Sequence, residues 1–296
     1  MGSKVIVFGG GGFLGSHTAD ELSRQGYDVT IFDNAPSRWL RDGQEMIVGD
    51  VTDRDAVIES VKGMDYIYHF AGVSDIGAAD QSPFATIEAN VMGTTTILQA
   101  AVDANVRRLI FASTMYVYSD RGSFYRASKQ ATEIIIEAYQ EKFDLDYTLL
   151  RYGSLYGPRA QDWNGLKRFV RQVVQEGVLD YNGTGKERRE YIHVNDAARL
   201  SVEILDEAHK NQAITVTGHQ VLNSTELLRM IFEIAGKPEN IRMSNRETNG
   251  DHYVMTPYRY KPITARKIIP GEYIDLGQGI LDVVAEIHQE LAGDRD

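Results

Sequence analysis

Short apolar runs alternate with longer amphipathic stretches through the first half of the chain. Runs of roughly four to eight apolar residues are typical of buried strands, and apolar positions at helical spacing are typical of the helices that cover them. The pattern predicts strands at Val5–Phe8, Val29–Phe32, Met46–Val48, Tyr66–Phe70, Leu109–Ala112 and Tyr147–Leu150. The stretches between them predict helices over 13–25, from an N-cap at Asp53 to Val61, over 84–104 and over 125–142. Such alternation is typical of an α/β fold with a doubly wound parallel sheet.

The pattern weakens after Arg151, where Gly and Pro interrupt it more often. Helices are predicted over 163–176, over 195–208 with Asn195 as the N-cap, over 224–236 and over 278–291, whereas 244–275 shows little periodicity. We therefore expect residues 156–296 to form mainly a smaller C-terminal α/β lobe. This lobe folds onto a first domain at 1–155, and later segments near 184–210 return to that domain.

The composition narrows the possible function classes. The 296 residues include 31 Lys and Arg against 42 Asp and Glu, a formal charge of −11, which argues against a general surface for nucleic acid or an anionic membrane. The absence of cysteine excludes disulfides, thiol nucleophiles and Cys-ligated zinc, and no metal site is predicted. No apolar run reaches the roughly 20 residues that span a bilayer. From these features we expect a cytoplasmic location.

A glycine-rich segment follows the first predicted strand and opens the first predicted helix. Gly9, Gly12 and Gly15 have G-x-x-G-x-x-G spacing, which permits a tight turn and a close approach of backbone N–H groups to a pyrophosphate at the helix N-terminus. Asp33 ends the second strand, where a carboxylate can accept both hydroxyls of an adenosine ribose and repels a 2′-phosphate. The segment predicts a Rossmann domain over 1–155 that binds NAD.

Residues at the ends of the third and fourth strands belong to the same edge of the predicted sheet. Asp50 can hydrogen-bond the adenine amino group there or serve only as a turn residue. His69 is interpreted as a packed strand-end residue and not as a catalyst. Ala71 and Gly72, which follow it closely, are small enough for the backbone to pass near the cofactor.

Tyr125 and Lys129 are four residues apart and so share one face of the helix predicted over 125–142. An ordinary tyrosine pKa of about 10 is too high for a base at neutral pH, and a neighbouring ammonium lowers it by stabilising the phenolate. The phenolate can then take a proton from a substrate hydroxyl while hydride leaves the same carbon. Thr114 follows the fifth strand, at the edge where such sheets bind ligands, and can orient that hydroxyl.

A series of segments resembles the motifs of the extended short-chain dehydrogenase/reductase family, in particular its nucleotide-sugar epimerase/dehydratase group. The segments are GGGGFLGSH (9–17), Asp33, GDVTD (49–53), HFAG (69–72), NVMGT (90–94), STMYVY (113–118), YRASK (125–129), LRYGSLYGP (150–158) and REYIHVND (189–196). They occur in the family's order. Within the group, the chain resembles the UDP-glucose 4-epimerase-like members.

The resemblance implies that Thr114, Tyr125 and Lys129 form a catalytic triad and that Asn90 supports the site; a purely structural helix residue is the equal alternative for Asn90. It also implies that Arg189 binds the diphosphate of a nucleotide-diphosphate-sugar substrate, with Arg246 as a second candidate; a surface charge is the alternative for each. The residues expected to bind substrate are Ser74, Thr114, Ser154, Arg189 and Arg246. The residues expected to bind NAD are Gly9, Gly12, Phe13, Leu14, Gly15, Asp33, Asp50, Val51, Phe70, Ala71, Gly72, Asn90, Tyr125 and Lys129.

Several positions depart from the family's motifs. Ser154 stands where the family usually has Asn, and the segment between Tyr118 and Tyr125 is shorter than usual. Met115 and Tyr116 follow Thr114, whereas the family's sugar 4,6-dehydratases carry Asp-Glu there and related decarboxylases need a Glu at position 115. Epimerase-reductases of the fucose type use a Cys, which this chain lacks. The chemistry left to the site is exchange of a hydride and a hydroxyl proton.

The leading hypothesis is an NAD-dependent nucleotide-sugar 4-epimerase with Tyr125 as acid and base. The alternative is a nucleotide-sugar C4 dehydrogenase or 4-keto reductase, and a more distant one is a catalytically silent NAD-binding regulatory protein. The resemblance also implies a homodimer that pairs the outer faces of the helices over 84–104 and 125–142. Apolar residues expected at that interface are Leu98, Ile134, Ile135 and Tyr139.

Overall fold

The computed structural model describes residues 2–244, 255, 257, 265–268 and 271–293, and the structural statements below concern these residues. The strands in chain order are β1 (Lys4–Phe8), β2 (Asp28–Asp33), β3 (Glu45–Val48), β4 (Tyr66–His69), β5 (Arg108–Thr114), β6 (Tyr147–Tyr152), β7 (Ser154–Tyr156), β8 (Leu179–Tyr181), β9 (Arg188–His193), β10 (Gln212–Val216), β11 (Val221–Asn223), β12 (Ile241–Met243) and β13 (Ala265–Ile268). The predicted strands of the first half are all present.

A large sheet is built in the order β3-β2-β1-β4-β5-β6-β10-β13, with every neighbouring pair parallel. The direction of strand succession reverses between β1 and β4, so the sheet is doubly wound as predicted. Sheets of this kind bind ligands in the crevice beyond the carboxyl ends of their strands, at the point of reversal. Two smaller sheets, β11-β9-β7 and β12-β8, are formed by strands that come after β6 in the chain.

The helices of the described chain are interspersed with these strands, and several of them cover the two faces of the large sheet. In chain order they are α1 (Phe13–Arg24), α2 (Arg54–Val61), α3 (Ile76–Gln81), α4 (Pro83–Ile87), α5 (Gly93–Asp103), α6 (Ser123–Phe143), α7 (Gly165–Glu176), α8 (Val194–Glu203), α9 (Ser224–Ile234) and α10 (Leu276–Gly293). Asp53 caps α2 as predicted, because its side chain accepts from the N–H groups of Asp55 and Ala56.

The three largest apolar clusters form most of the interior of the described chain. One joins α1 and α8 to one face of the large sheet, and a second joins α2, α5 and α6 to the other face. The third holds α7, α9 and α10 together with β8. Residues beyond 155 thus supply β10, β13 and α8 to the large sheet and its packing. The boundaries of a cofactor domain and a substrate lobe stay predictions.

Two details of the predicted helices are wrong. The single helix expected over 84–104 contains a π-helical turn at Glu88–Met92, between α4 and α5. A π turn adds one residue to a turn without changing the apolar character of the segment, so periodicity does not reveal it. Helix α8 is capped by His193, whose Nδ1 accepts from the N–H of Asn195, and it ends at Glu203. Asn195, the predicted cap, therefore lies inside the helix.

No helix within the described part of the chain is long and apolar enough to cross a membrane.

Candidate active site

The glycine turn between β1 and α1 requires its glycines for steric reasons. Gly9 has φ +78°, and a Cβ there would lie 2.5 Å from the backbone nitrogen of Ala71. A Cβ on Gly15 would overlap the carbonyl oxygen of Gly9. The N–H groups of Phe70 and Ala71 donate to the Phe8 carbonyl at 2.7 and 3.0 Å, which holds the segment after β4 against this turn. The turn therefore presents closely packed backbone at the reversal point of the sheet.

The N-terminus of α1 lies on this turn and carries no side-chain cap. Its first N–H groups and the positive end of the helix dipole are thus suited to a pyrophosphate. Asp33 Oδ2 accepts from Gly11 N at 2.8 Å, so the carboxylate sits on the rim of the turn. Phe13 and Leu14 are buried beneath it. These residues fit an NAD, with the pyrophosphate at the turn and a ribose at Asp33.

Asp50 and Val51 lie after β3, at the same edge. Asp50 Oδ1 accepts from the N–H and hydroxyl of Thr52 at 2.8 and 2.7 Å, and these two hydrogen bonds lower the pKa of the carboxyl. Val51 is buried against Gly93, where an added Cβ would lie 2.8 Å from Val51 Cγ2. Asp50 is thus a turn residue in this structure, and its contact with adenine stays a prediction.

Asn90 lies in the π-helical turn and is buried. Its Oδ1 accepts from Val73 N at 2.7 Å, and its Nδ2 donates to Val73 O and Ser128 Oγ, both at 2.9 Å. Gly72, at φ +136°, packs directly against this amide. Asn90 therefore fixes the loop after β4, which carries the exposed Ser74, against α6.

Thr114, Tyr125 and Lys129 are brought together by the end of β5 and the start of α6. Thr114 caps the 3-10 turn Met115–Tyr118, and its Oγ accepts from Tyr116 N at 3.3 Å. Tyr125 is half-buried one helical turn before Lys129. Lys129 is buried, with Nζ donating to Ala112 O at 2.8 Å. Burial lowers the pKa of Lys129 to about 8, and the carboxylate of Glu133 opposes this shift.

His69 lies at the end of β4, between the glycine turn and Lys129. The hydroxyl of Thr94 donates to Asn90 O, so the contact of 2.8 Å between His69 Nε2 and Thr94 Oγ has the imidazole as donor. Burial, helped by the positive charge of Lys129, lowers the pKa of His69 to about 3. His69 is therefore a neutral packed residue, in agreement with the sequence analysis.

Tyr116 and Gly122, which sequence reasoning did not place in the site, shape this edge. The ring of Tyr116 meets the ring of Tyr125 edge-on, with centroids 6.0 Å apart, and both pack with Ile76. The short segment before Tyr125 closes over Tyr116, because Gly122 has φ +96° and a Cβ there would lie 2.6 Å from the Tyr116 ring. The available signal was the combination of a short segment, a glycine and an aromatic residue after Thr114.

Two of the residues predicted to bind substrate lie in one of the smaller sheets. Ser154 is on β7 and Arg189 on β9, two parallel neighbours in the same small sheet. Arg189 lies near Tyr181, where its positive charge opposes the burial that raises the pKa of Tyr181 to about 12. Arg246 lies outside the described residues. No group of three or more potential metal ligands occurs in the described ranges.

The doubly wound sheet, with a glycine turn after β1 and a Tyr-x-x-x-Lys helix after β5, defines an extended short-chain dehydrogenase/reductase. The model of the NAD dependent epimerase/dehydratase family matches residues 5–217, and the chain belongs to this family. It is therefore an NAD-dependent enzyme of the extended short-chain type.

Curated relatives and solved structures agree with this assignment. The chain is 29% identical to a UDP-N-acetyl-alpha-D-glucosaminuronate decarboxylase of Bacillus cytotoxicus, over 81% of this chain and 83% of the relative. It is 28% identical to a UDP-glucose 4-epimerase of Rhizobium meliloti, over 91% and 92%. The crystal structure of a Thermus thermophilus UDP-glucose 4-epimerase with NAD superposes with a TM-score of 0.82 at 22% identity, over 96% and 99%. This last likeness shows the fold.

Proposed function

We propose that the protein is an NAD-dependent nucleotide-sugar 4-epimerase. The observation that carries the proposal is the placement of Thr114 at the end of β5 and of Tyr125 one turn before the buried Lys129. The relative of Rhizobium meliloti named UDP-glucose 4-epimerase supports the reaction type, because its match covers nearly the whole of both chains.

The chain's own groups provide acid-base chemistry for such a reaction. Bound NAD would supply the acceptor and donor of hydride at C4 of the sugar. Lys129 is protonated below its pKa of about 8, and its charge stabilises the phenolate of Tyr125. Tyr125 takes the proton of the C4 hydroxyl and later returns it. Thr114 uses its Oγ to accept from Tyr116 N, so its hydroxyl hydrogen stays available to orient the substrate oxygen.

The positions after Thr114 argue against elimination of water or carbon dioxide. Met115 and Tyr116 are both buried, and neither is a carboxylic acid. The relative of Bacillus cytotoxicus is named a decarboxylase. The family resemblance implies that a decarboxylase needs a Glu at position 115, and this chain has Met there. Oxidation at C4 is therefore expected either to be reversed on the other face of the sugar or to stop at the ketone.

The substrate proposed is a sugar carried on a nucleoside diphosphate. Arg189 is a partly buried cation next to the strand that carries Ser154, and a guanidinium suits the paired oxygens of a diphosphate. The family resemblance assigns the diphosphate to Arg189, and this assignment is part of the proposal.

A homodimer is part of the proposal. On the segment 83–92, Phe84 is 81% exposed and Met92 58% exposed, and on α6 Ile134 is 63% exposed. Leu98 was expected at this surface, but it is fully buried in the core because it faces the sheet. Light scattering at micromolar concentration should give twice the chain mass of 33.2 kDa, and Ile134→Glu should give monomers. A monomeric parent protein would refute the dimer.

A cytoplasmic location also stays a prediction, based on the absence of cysteine.

The reaction type is tested by product analysis. Thermal shift against UDP-, GDP-, CDP- and dTDP-sugars with NAD present identifies a binding sugar, which is then incubated with the enzyme. We expect a product of unchanged mass and altered stereochemistry at C4, with flat absorbance at the reduced-nicotinamide band. Loss of two hydrogens would indicate the dehydrogenase, and loss of water or carbon dioxide would overturn the interpretation of Met115.

A further inference from the structure

A buried ion pair lies next to the proposed catalytic residues and has no part in the chemistry derived above. Glu133, on α6, binds Arg151, on β6: Arg151 Nε donates to Oε1 at 3.0 Å and Nη2 donates to Oε2 at 2.6 Å. Ser113, the penultimate residue of β5, donates its hydroxyl to Glu133 Oε1 at 2.5 Å. Arg151 Nη1 donates to the hydroxyl of Tyr118 at 2.5 Å. The pair therefore joins α6 to the ends of β5 and β6 and to the 3-10 turn.

Burial makes the charges of this group interdependent. The side chains of Glu133 and Arg151 are 6% and 3% exposed, and Lys129, one turn earlier on α6, is buried as well. One buried carboxylate thus serves two buried cations. A guanidinium does not lose its proton in proteins, whereas a buried ammonium does so readily. If the negative charge of Glu133 is removed, Lys129 is therefore the cation that loses its proton more readily.

The other groups around Lys129 supply no second anion among the described residues. Tyr125 shares the face of α6 that carries Lys129, β5 presents the Ala112 carbonyl and the Phe111 ring, and β4 presents the neutral His69. On the far side of Glu133, burial raises the pKa of both Glu137 on α6 and Tyr147 on β6, and the carboxylate of Glu133 adds to these shifts. The carboxylate that acts on Lys129 is that of Glu133.

We propose that Glu133 is a positioning residue of the catalytic site. It anchors the end of β5, next to Thr114, to α6 through Ser113, and it keeps the buried Lys129 charged although Arg151 lies nearby. This inference rests on the proposed role of Lys129 toward Tyr125. Its test, however, needs neither substrate nor turnover, so it can fail or succeed independently of the epimerase assignment.

Removing Glu133 and removing Arg151 should shift the titration midpoint of Lys129 in opposite directions. Glu133→Gln leaves two buried cations together, which favours loss of the Lys129 proton. Arg151→Met leaves the carboxylate with Lys129 as its nearest cation, which favours retention of the proton. We expect a fall of about one pH unit or more in the first variant and a rise in the second, since a neighbouring charge typically shifts a buried group by about one to three units. A purely structural role predicts no such pair of opposite shifts.

The experiment is an NMR titration of the Lys129 side chain in the NAD-bound enzyme. Lysine is labelled at Cε, and the Lys129 resonance is identified by its absence in Lys129→Arg. Glu137→Gln, one turn further along the same helix, is the matched control and should leave the Lys129 midpoint unchanged. The double variant Glu133→Gln/Arg151→Met removes both charges of the ion pair together, so neither Glu133 nor Arg151 is left buried without its partner, and it should fold even if a single variant does not. Its midpoint should lie between those of the two single variants.

The alkaline limb of turnover provides a second readout. In Glu133→Gln it should move to lower pH together with the Lys129 midpoint, with kcat reduced and NAD affinity retained. Opposite shifts in the two single variants, or a shift of the expected sign between one folded single variant and the double variant, support the proposal. Equal midpoints in parent and variants, or shifts of the same sign in both single variants, overturn it.

Discussion

The glycine turn after β1 and the catalytic edge after β5 lie on the same side of one sheet, yet they are built from different materials. The turn is made of backbone: its shape depends on missing side chains at Gly9 and Gly15, and within the described part of the chain its one polar side-chain contact comes from Asp33. The catalytic edge is made of side chains that converge from β5, α6, β6 and the π-helical turn at Glu88–Met92. A backbone site is encoded within a few consecutive residues, whereas a side-chain site needs the whole fold to assemble it.

The two regions should therefore respond differently to substitution. A change in the turn should act on cofactor affinity, because it alters the surface that the pyrophosphate meets. A change at the catalytic edge should act on turnover with the cofactor still bound. Variants that lose only cofactor affinity or only turnover support this distinction, and variants that lose both together contradict it.

The largest expected effect is that of Tyr125→Phe. The ring keeps its edge contact with Tyr116, but the hydroxyl that moves the proton is gone. Turnover should fall about 10²–10⁴-fold, which is the usual contribution of general acid-base catalysis. NAD affinity measured by calorimetry should stay near the parental value. Parental turnover in this variant would show that Tyr125 is not the base.

The next largest effect is expected for Gly15→Ala. The added Cβ overlaps the Gly9 carbonyl oxygen, so the turn must open. NAD affinity should weaken at least about tenfold, or ~1.4 kcal/mol. Gly165→Ala, at the start of α7, is the control, since nothing lies within 4 Å of its Cβ position. Unchanged NAD binding by Gly15→Ala would contradict the backbone account of the turn.

His69 connects the two regions, since its ring contacts Phe8 of β1 and Phe111 of β5. Unfolded His69 gains a proton below its ordinary pKa of 6.5, whereas folded His69 stays neutral down to about 3. The free energy of unfolding must therefore fall as the pH drops below about 6.5. Between pH 7 and 5, the free energy of unfolding measured by urea titration should fall in the parent by on the order of 1–2 kcal/mol more than in His69→Gln. Parallel pH dependence of the two proteins would contradict a buried neutral imidazole.

The smallest effect is expected for Asp33→Ala. The carboxylate is partly exposed and stands on the rim of the turn, where it favours ribose hydroxyls and repels a 2′-phosphate. The parent should bind NAD more tightly than NADP, and Asp33→Ala should reduce the ratio of these two affinities about fivefold, or ~1 kcal/mol. Equal or better affinity of the parent for NADP would refute the role given to Asp33.

The difference in construction also explains what the sequence could predict. The glycine turn, Asp33 and the Tyr125–Lys129 pair each lie within one local segment, and local spacing reveals such features. The π-helical turn at Asn90 and the Glu133–Arg151 pair depend on contacts between distant segments. No local pattern contains that information, because the partners are chosen by the packing of α6 against the sheet.

The most direct test of the proposed epimerase is to follow an isotope at C4. The nucleotide sugar that binds with NAD is supplied with deuterium on C4, and the product is analysed by NMR and mass spectrometry. If Tyr125 and Lys129 serve a reversible oxidation within one bound complex, the C4 epimer should retain its deuterium at C4 and the mass should not change. A product without the C4 deuterium, or one lighter by the loss of hydrogen, water or carbon dioxide, would contradict the account.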